Sequence, residues 1–237
     1  MVTPKNPQIP VVLLAAGRGR RMGGPKGLLR DDRGRSLVAC QVESIRRAAA
    51  LEPHLDPDPI VVLGAAAQRV EHLVPAGARI VHNPDWASGM GGSLAAGLRA
   101  VPADAPGALV MLLDLPHVPA EALARLAAQT DPGQLARALW NGVPGHPVAI
   151  GAAHIPAAIT ACHGDAGARG LFAAAEPAAV NLVECADLLA PGVHGDADID
   201  TPEQAAAAGL RLPAALPAQG HGADTREDAG RARGERA

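Results

Sequence analysis

Residues 9–26 read Ile9-Pro10-Val11-Val12-Leu13-Leu14-Ala15-Ala16-Gly17-Arg18-Gly19-Arg20-Arg21-Met22-Gly23-Gly24-Pro25-Lys26. The first part, residues 9–15, is a continuous apolar run, the pattern of a parallel strand covered on both faces. The second part holds four glycines, four cations (Arg18, Arg20, Arg21 and Lys26) and no acid. Glycines let a backbone turn sharply and bring its N–H groups close to an anion. Guanidinium and ammonium groups can then neutralise a triphosphate. The Gly-Lys-Ser/Thr ending of a Walker loop is missing, and Met22 stands where the dinucleotide fingerprint has its third glycine. A solvated basic turn is the competing explanation. The position after a first buried strand favours anion binding, because open α/β sheets bind ligands there.

Outward from this stretch, strand and helix patterns alternate. Residues 36–50 read as a helix with Ser36 as N-cap and Leu37, Val38, Val42 and Ile45 near one face. Strands are expected at 59–64, 79–82 and 108–113, and helices at 65–74, 93–101 and 119–129. Alternation of this kind predicts an α/β fold, a Rossmann-like, mostly parallel sheet flanked by helices, in a single domain. After Thr130 the rhythm loosens. Residues 135–140 and 147–150 read as a strand pair around Asn141-Gly142. Short helices are expected at 155–161 and 167–175, and a last strand at 180–183. Thr201-Pro202-Glu203 is a helix start, with Thr as N-cap and Pro in the first turn. Residues 1–8 read as a leader, 9–211 as the domain, and 212–237 as a disordered tail of Pro, Ala, Gly and mixed charge.

Composition narrows the function. The 237 residues include no Tyr, one Phe and two Trp, so stacking platforms for single-stranded nucleic acid are excluded. A formal charge of −3 gives no footprint for duplex binding. No apolar run reaches the ~18 residues that cross a bilayer. Cys40, Cys162 and Cys185 lie far apart without zinc-ligand spacing, as scattered reduced thiols of a cytoplasmic protein would. Lysine is scarce: only Lys5 and Lys26 occur among 21 basic residues.

Four further segments carry polar groups at element ends. Asn83-Pro84-Asp85-Trp86-Ala87-Ser88-Gly89-Met90-Gly91-Gly92-Ser93-Leu94 is a glycine-rich opening to a helix, whose N-terminus favours anions. Leu112-Leu113-Asp114-Leu115-Pro116 puts a carboxylate at the end of a buried strand, as ligand or turn residue. Gly145-His146-Pro147 and Gly164-Asp165-Ala166-Gly167-Ala168-Arg169 follow in the second half. His146 suits either an acceptor contact or a buried polar residue with a backbone partner, and Asp165 also suits a helix cap. In Asp196-Ala197-Asp198-Ile199-Asp200-Thr201-Pro202-Glu203 the alternating acids share one face of an extended segment and call for a cation or solvent.

Residues 14–26 resemble the Leu-x-x-Gly-x-x-x-Arg-Met-Gly-x-x-Lys signature of the MobA-like NTP transferase superfamily. That superfamily includes the molybdenum cofactor cytidylyl- and guanylyltransferases. Gly17, Arg21, Met22, Gly23 and Lys26 fall on the fixed positions. The other segments are similar to its Gly-Met-Ser-Ser-Ser-Leu, Gly-Asp-x-Pro and Asp-x-Asp-Thr-Pro-Glu-Asp elements. The Gly-His-Pro and Gly-Asp-x-Gly-Ala-Arg elements are similar to those of the cytidylyltransferase subgroup. Gly91 and Gly92 replace two serines, Leu113 a glycine and Gln204 an aspartate.

The resemblance implies transfer of a nucleotidyl group with release of pyrophosphate. It implies Arg21, Lys26 and Asp114 as catalytic residues, and Asp114 with Asp200 (Asp198 as substitute) as ligands of Mg²⁺. Nucleotide contacts would come from Leu14, Ala15, Ala16, Gly17, Gly19, Met22, Gly23, Gly89 and Ser93, and acceptor contacts from His146, Asp165 and Arg169. Ala15-Ala16-Gly17 matches the cytidylyl form, and a Cβ at Ala16 would crowd a purine. CTP and a molybdopterin-type acceptor are therefore the expected substrates, with a molybdenum hydroxylase as recipient of the product. Two rivals stand beside this: a sugar phosphate as acceptor, or an NAD(P)H-dependent oxidoreductase on the same scaffold. Against the latter, no clear acid follows a second strand ~20 residues on to hold a ribose.

Overall fold

The apolar run of residues 11–15 is buried along its whole length in the middle of a seven-stranded sheet. The computed structural model describes residues 7–162, 164, 167–176 and 179–213. In chain order the strands are β1 (Val11–Ala15), β2 (Ile60–Leu63), β3 (Arg79–His82), β4 (Gly107–Leu112), β5 (Leu135–Trp140), β6 (Val143–Gly151) and β7 (Val180–Glu184). The helices are α1 (Leu37–Leu51), α2 (Ala67–Glu71), α3 (Met90–Arg99), α4 (Ala120–Ala127), α5 (Ile155–Ala161), α6 (Arg169–Ala174) and α7 (Pro202–Ala207). The sheet order is β3-β2-β1-β4-β6-β5-β7, and β6 alone runs antiparallel to its neighbours. This is the expected single-domain α/β architecture. Helix β-crossovers run outward from β1 on one side and from β4 on the other, so the C-terminal ends of β1 and β4 form the crevice where such sheets bind ligands.

Two apolar layers follow from the alternation of side chains along β1. Val11, Leu13 and Ala15 face a core shared with Val42, Ile45, Leu123 and Leu126 of α1 and α4. Val12 and Leu14 face the opposite layer with Leu94, Leu98 and Ala158 of α3 and α5. A Cβ placed on Gly97 would overlap the methyls of Val12 and Val62, so α3 lies on the sheet at a distance that only glycine permits. Gly97→Ala should therefore destabilise the protein by about 1–3 kcal/mol through overpacking, read as a fall in melting temperature.

Where boundaries differ from expectation, backbone causes are visible. Ser36 does cap α1, its hydroxyl accepting from the Ala39 N–H at 3.3 Å. α2 spans less than residues 65–74, because Ala66 enters it from a left-handed conformation (φ 54°). α3 begins three residues before Ser93. Gly89, at φ 123°, supplies the N-cap, and Gly91 and Gly92 lie inside the helix despite their low propensity. β6 starts at Val143 and carries Gly-His-Pro within it, with a cis peptide before Pro147. The turn into it uses Asn141 and Gly142, both at positive φ, as a two-residue hairpin requires. Arg211 pairs with Arg30 and Leu212 packs on the core, so the fold reaches to Leu212. The remainder of the expected tail, residues 214–237, lies outside the described residues, as does the leader up to residue 6. No helix among the described residues is long and apolar enough to cross a membrane.

Candidate active site

Three segments remote in sequence meet at the C-terminal ends of β1 and β4. The basic loop leaves β1, and Lys26 opens a single 3-10 turn whose Gly27 packs against Val70 and Leu113. Gly19 (φ 63°) allows the loop to fold on itself, since a Cβ there would overlap the Gly24 carbonyl. Asp114 follows β4. The buried Gln41 amide of α1 donates to the carbonyls of Leu113 and Leu115, at 3.4 and 3.1 Å, and so fixes the backbone on both sides of Asp114. The acidic segment is tied to the same place by the Ile199 N–H, which donates to the Asp114 carbonyl at 3.0 Å.

Asp200 is positioned by the cap of α7. Thr201 and Gln204 form a reciprocal capping box, and the Gln204 amide oxygen accepts from the N–H groups of both Asp200 and Thr201, at 2.8 and 2.9 Å. The glutamine that departs from the family's aspartate thus orients the metal-ligand candidate.

The Lys26 ammonium spans the two carboxylates, donating to Asp114 Oδ2 at 2.7 Å and Asp200 Oδ1 at 2.6 Å. Arg21 donates to the other oxygen of Asp200 at 2.6 Å. Burial works to lower the Lys26 pKa, but the charges and hydrogen bonds of the two aspartates outweigh it and raise the value. Lys26 therefore stays protonated throughout the neutral range. Asp200 is held below the usual carboxylate range, first by the Lys26 hydrogen bond. Asp198 moves the other way, raised by burial and by the charges of Asp200 and Asp114. Asp200 is the one of the two that pairs with Lys26 and Arg21.

No group of three or more His, Cys, Asp or Glu side chains fit for a metal occurs among the described residues. A pair of carboxylates nevertheless fits Mg²⁺, which is held at phosphate-transfer sites by one or two carboxylates plus substrate oxygens and water. The one ammonium that both carboxylates contact marks a point where a single cation reaches oxygens of each.

Two cavities reach this cluster, and a third shares Leu14 with both. One, of about 300 Å³, is bounded by Leu14, Ala15, Gly17, Gly19 and the charged cluster itself. A second, of about 290 Å³, lies between Ala16, Gly17, Gly89, Ser93 and Trp86 and also reaches Asp114. A third, of about 440 Å³, is formed by β4, β5 and β6 against α3 and α6, and holds His146, Arg137, Arg169 and Phe172. Beneath it Trp140 is clamped between Gly145 and Gly195, either of which would strike the indole with a Cβ, and its N–H donates to the His146 carbonyl at 2.9 Å.

Most of the residues proposed from sequence thus gather here, with four qualifications. Met22 is 1% exposed and sits in the core, so its side chain anchors the loop and faces none of the three cavities. Ser93 borders the second cavity, but its hydroxyl accepts a buried hydrogen bond from Asn83 at 2.9 Å. Gly23, at φ 82°, shapes the outer loop rather than the cavity floors. Asp165 lies outside the described residues. Sequence reading passed over Arg137 and Gln41 and gave no role to Gln204 or Trp86. A lone arginine in the apolar strand Leu-Ala-Arg-Ala-Leu-Trp was the available signal for the first.

The model of the MobA-like NTP transferase domain matches residues 11–180. A nicotine blue oxidoreductase of Paenarthrobacter nicotinovorans is 38% identical over 84% of this chain and 95% of its own length. A molybdenum cofactor guanylyltransferase of Burkholderia orbicola (strain MC0-3) is 33% identical over 59% of this chain and 64% of its own. Among solved structures, Rv0371c of Mycobacterium tuberculosis H37Rv superposes with a TM-score of 0.69 at 26% identity, covering 86% of this chain and 98% of that one. The same protein has also been solved in complex with manganese. The family match covers β1 to β6, the basic loop and Asp114 together, and by it the chain belongs to the MobA-like NTP transferase domain family, with the fold of a nucleotidyltransferase.

Proposed function

We propose that the protein transfers CMP from CTP to a phosphorylated, molybdopterin-type acceptor and releases pyrophosphate. The observation that carries this reading is the convergence of Asp114 and Asp200 on Lys26 at the mouth of the basic loop. In this reading Asp114 and Asp200 hold Mg²⁺, which when bound neutralises the triphosphate and polarises the reacting phosphoryl group. The loop N–H groups, Arg21 and Lys26 bind the triphosphate and stabilise the charge that passes to the leaving pyrophosphate. The acceptor phosphate attacks in line from the side of His146 and Arg169. No protein nucleophile is needed. The product passes to a molybdenum hydroxylase, and the reaction belongs to the cytoplasm.

CTP is favoured over GTP because of Ala16. Its methyl borders the second cavity, and together with Trp86 it fills the space beside Gly64 so closely that a Cβ there would lie 2.9 Å from Ala16 Cβ and 2.8 Å from Trp86 Cγ. Ala16→Gly should shift the preference toward GTP. The test is pyrophosphate release with each nucleoside triphosphate, with and without molybdopterin. Equal turnover of CTP and GTP by the unaltered protein defeats the base assignment, and no release with any triphosphate defeats the transferase reading.

A second reading is favoured by the 38% identity to nicotine blue oxidoreductase: hydride transfer from a nicotinamide cofactor held by the same loop. Hydride transfer has no use for a pair of carboxylates at the phosphate site, which is why it ranks second. Loss of nicotinamide absorbance with a quinonoid dye as oxidant, unaffected by removal of divalent metal, would establish it.

A further inference from the structure

Asn83 directly follows β3 and is buried, 7% exposed. Its backbone N–H donates to the Leu63 carbonyl at 2.8 Å, which ties it to the end of β2. Two groups meet its side-chain amide. The Asp85 N–H lies 3.1 Å from one terminal atom, and Ser93 Oγ lies 2.9 Å from the other. A backbone N–H can only donate, so the first atom is the amide oxygen and the second is the nitrogen. The amide nitrogen in turn can only donate, so Ser93 Oγ is the acceptor of this buried bond. The backbone at Asp85 thus fixes the sense of the Asn83–Ser93 contact.

A hydroxyl that accepts in this way still has its own hydrogen to place. Serine and threonine often turn it back onto the carbonyl four residues earlier. Thr130 and Thr160 place theirs on the carbonyls of Leu126 and Pro156, at 3.0 Å each. Ser93 makes no such bond: among the described residues its hydroxyl donates to no atom. The residue is 3% exposed and borders the second cavity, together with Ala16, Trp86 and Gly89. A buried donor without an acceptor is costly, and a ligand atom in that cavity can supply one.

We infer that Ser93 presents a hydrogen-bond donor to the second cavity, that Asn83 is the positioning residue which holds it in that sense, and that the pair selects a base with an acceptor atom at its edge. Cytosine carries two such atoms side by side, a carbonyl oxygen and a ring nitrogen. This role rests on the nucleotide reading given above for the nature of the ligand. It is separate from the restriction at Ala16, which concerns the bulk of the base. Asn83 and Ser93 concern the polarity of its edge.

The test is isothermal titration of the full chain with CTP and with difluorotoluene riboside triphosphate, each with Mg²⁺ and without acceptor. The second ligand has a ring of pyrimidine shape that lacks strong hydrogen-bonding atoms. The unaltered protein should bind CTP at least roughly tenfold more tightly, the worth of a buried donor left unpaired. Ser93→Ala should lower that ratio roughly fivefold or more. Asn83→Asp should do the same at about pH 8, well above the carboxylate range. Its carboxylate still accepts from the Asp85 N–H but also takes the Ser93 hydrogen, so the hydroxyl no longer donates to the ligand. The added charge weakens both triphosphates alike, and the ratio reports the hydrogen bond. If one variant fails to fold, the other decides. A ratio near one in the unaltered protein, or a preference that survives both substitutions, overturns the inference. Loss in Ser93→Ala with retention in Asn83→Asp overturns the role of Asn83. Equal binding of the two ligands with pyrophosphate released from CTP would sink this inference alone. A preference that both variants abolish, without pyrophosphate release when molybdopterin is added, would sink the transferase reading alone. Binding of neither triphosphate would sink both.

Discussion

Lys26→Ala is expected to lower kcat by roughly 10²-fold or more while changing nucleotide affinity much less. The ammonium is 16% exposed and bonded to two carboxylates. A triphosphate offers it stronger partners than these, and its pull grows as charge moves onto pyrophosphate, so the loss should fall on the transition state. Lys26→Arg separates charge from shape. A guanidinium prefers planar, two-pronged contacts and is wider than the point charge that now meets both aspartates. It should therefore recover little of the lost rate. Steady-state kinetics with CTP and Mg²⁺, beside a melting curve, provide the measurement. Full activity in Lys26→Ala would remove this residue from the chemistry, and full activity in Lys26→Arg would show that charge alone matters.

Asp114→Asn and Asp200→Asn should each lower activity by roughly 10²-fold or more, and each should weaken Mn²⁺ binding measured directly by paramagnetic resonance in the presence of CTP. The two differ in what else they disturb. Asp200 also pairs with the half-buried environment of Lys26 and with the exposed Arg21, whose contribution to stability is small because solvent screens it. Asp114 bonds to Lys26 alone among charged side chains of the described residues. Removing either leaves Lys26 with one carboxylate, so melting temperatures should move little compared with rates. Metal binding that survives both substitutions would place the cation elsewhere.

The fold was legible because its information is local. The run at residues 11–15 is apolar on both faces, Ser36 precedes an apolar stripe, and Thr201-Pro202 opens a helix with Thr as its cap. The convergence of Lys26 with Asp114 and Asp200 was readable only through the family signature. Sequence separations of 88 and 174 residues hide a contact of less than 3 Å. Met22 shows the limit of a signature: a fixed position marks that a residue matters, and here burial shows it matters by anchoring the loop. The start of α3 was missed because Gly91 and Gly92 argue against a helix locally, while packing of Leu94 and Leu98 on the sheet decides otherwise. Gln41 acts by holding backbone near other residues, a role that no spacing rule encodes, whereas Gln204 stands at the third helical position where a capping box puts it.

The placement of the two tryptophans has an optical consequence. Trp86 borders the cavity beside Ala16, and Trp140 is clamped beneath His146, while the chain contains no tyrosine. Ultraviolet emission of the protein therefore arises from two indoles, one bordering the cavity proposed for the nucleotide and one behind His146 of the cavity proposed for the acceptor. With Trp140 replaced by Phe, quenching follows nucleotide arrival. With Trp86 replaced by Phe, it follows occupancy near His146. The order in which the two substrates bind can thus be followed in stopped flow without attaching any dye.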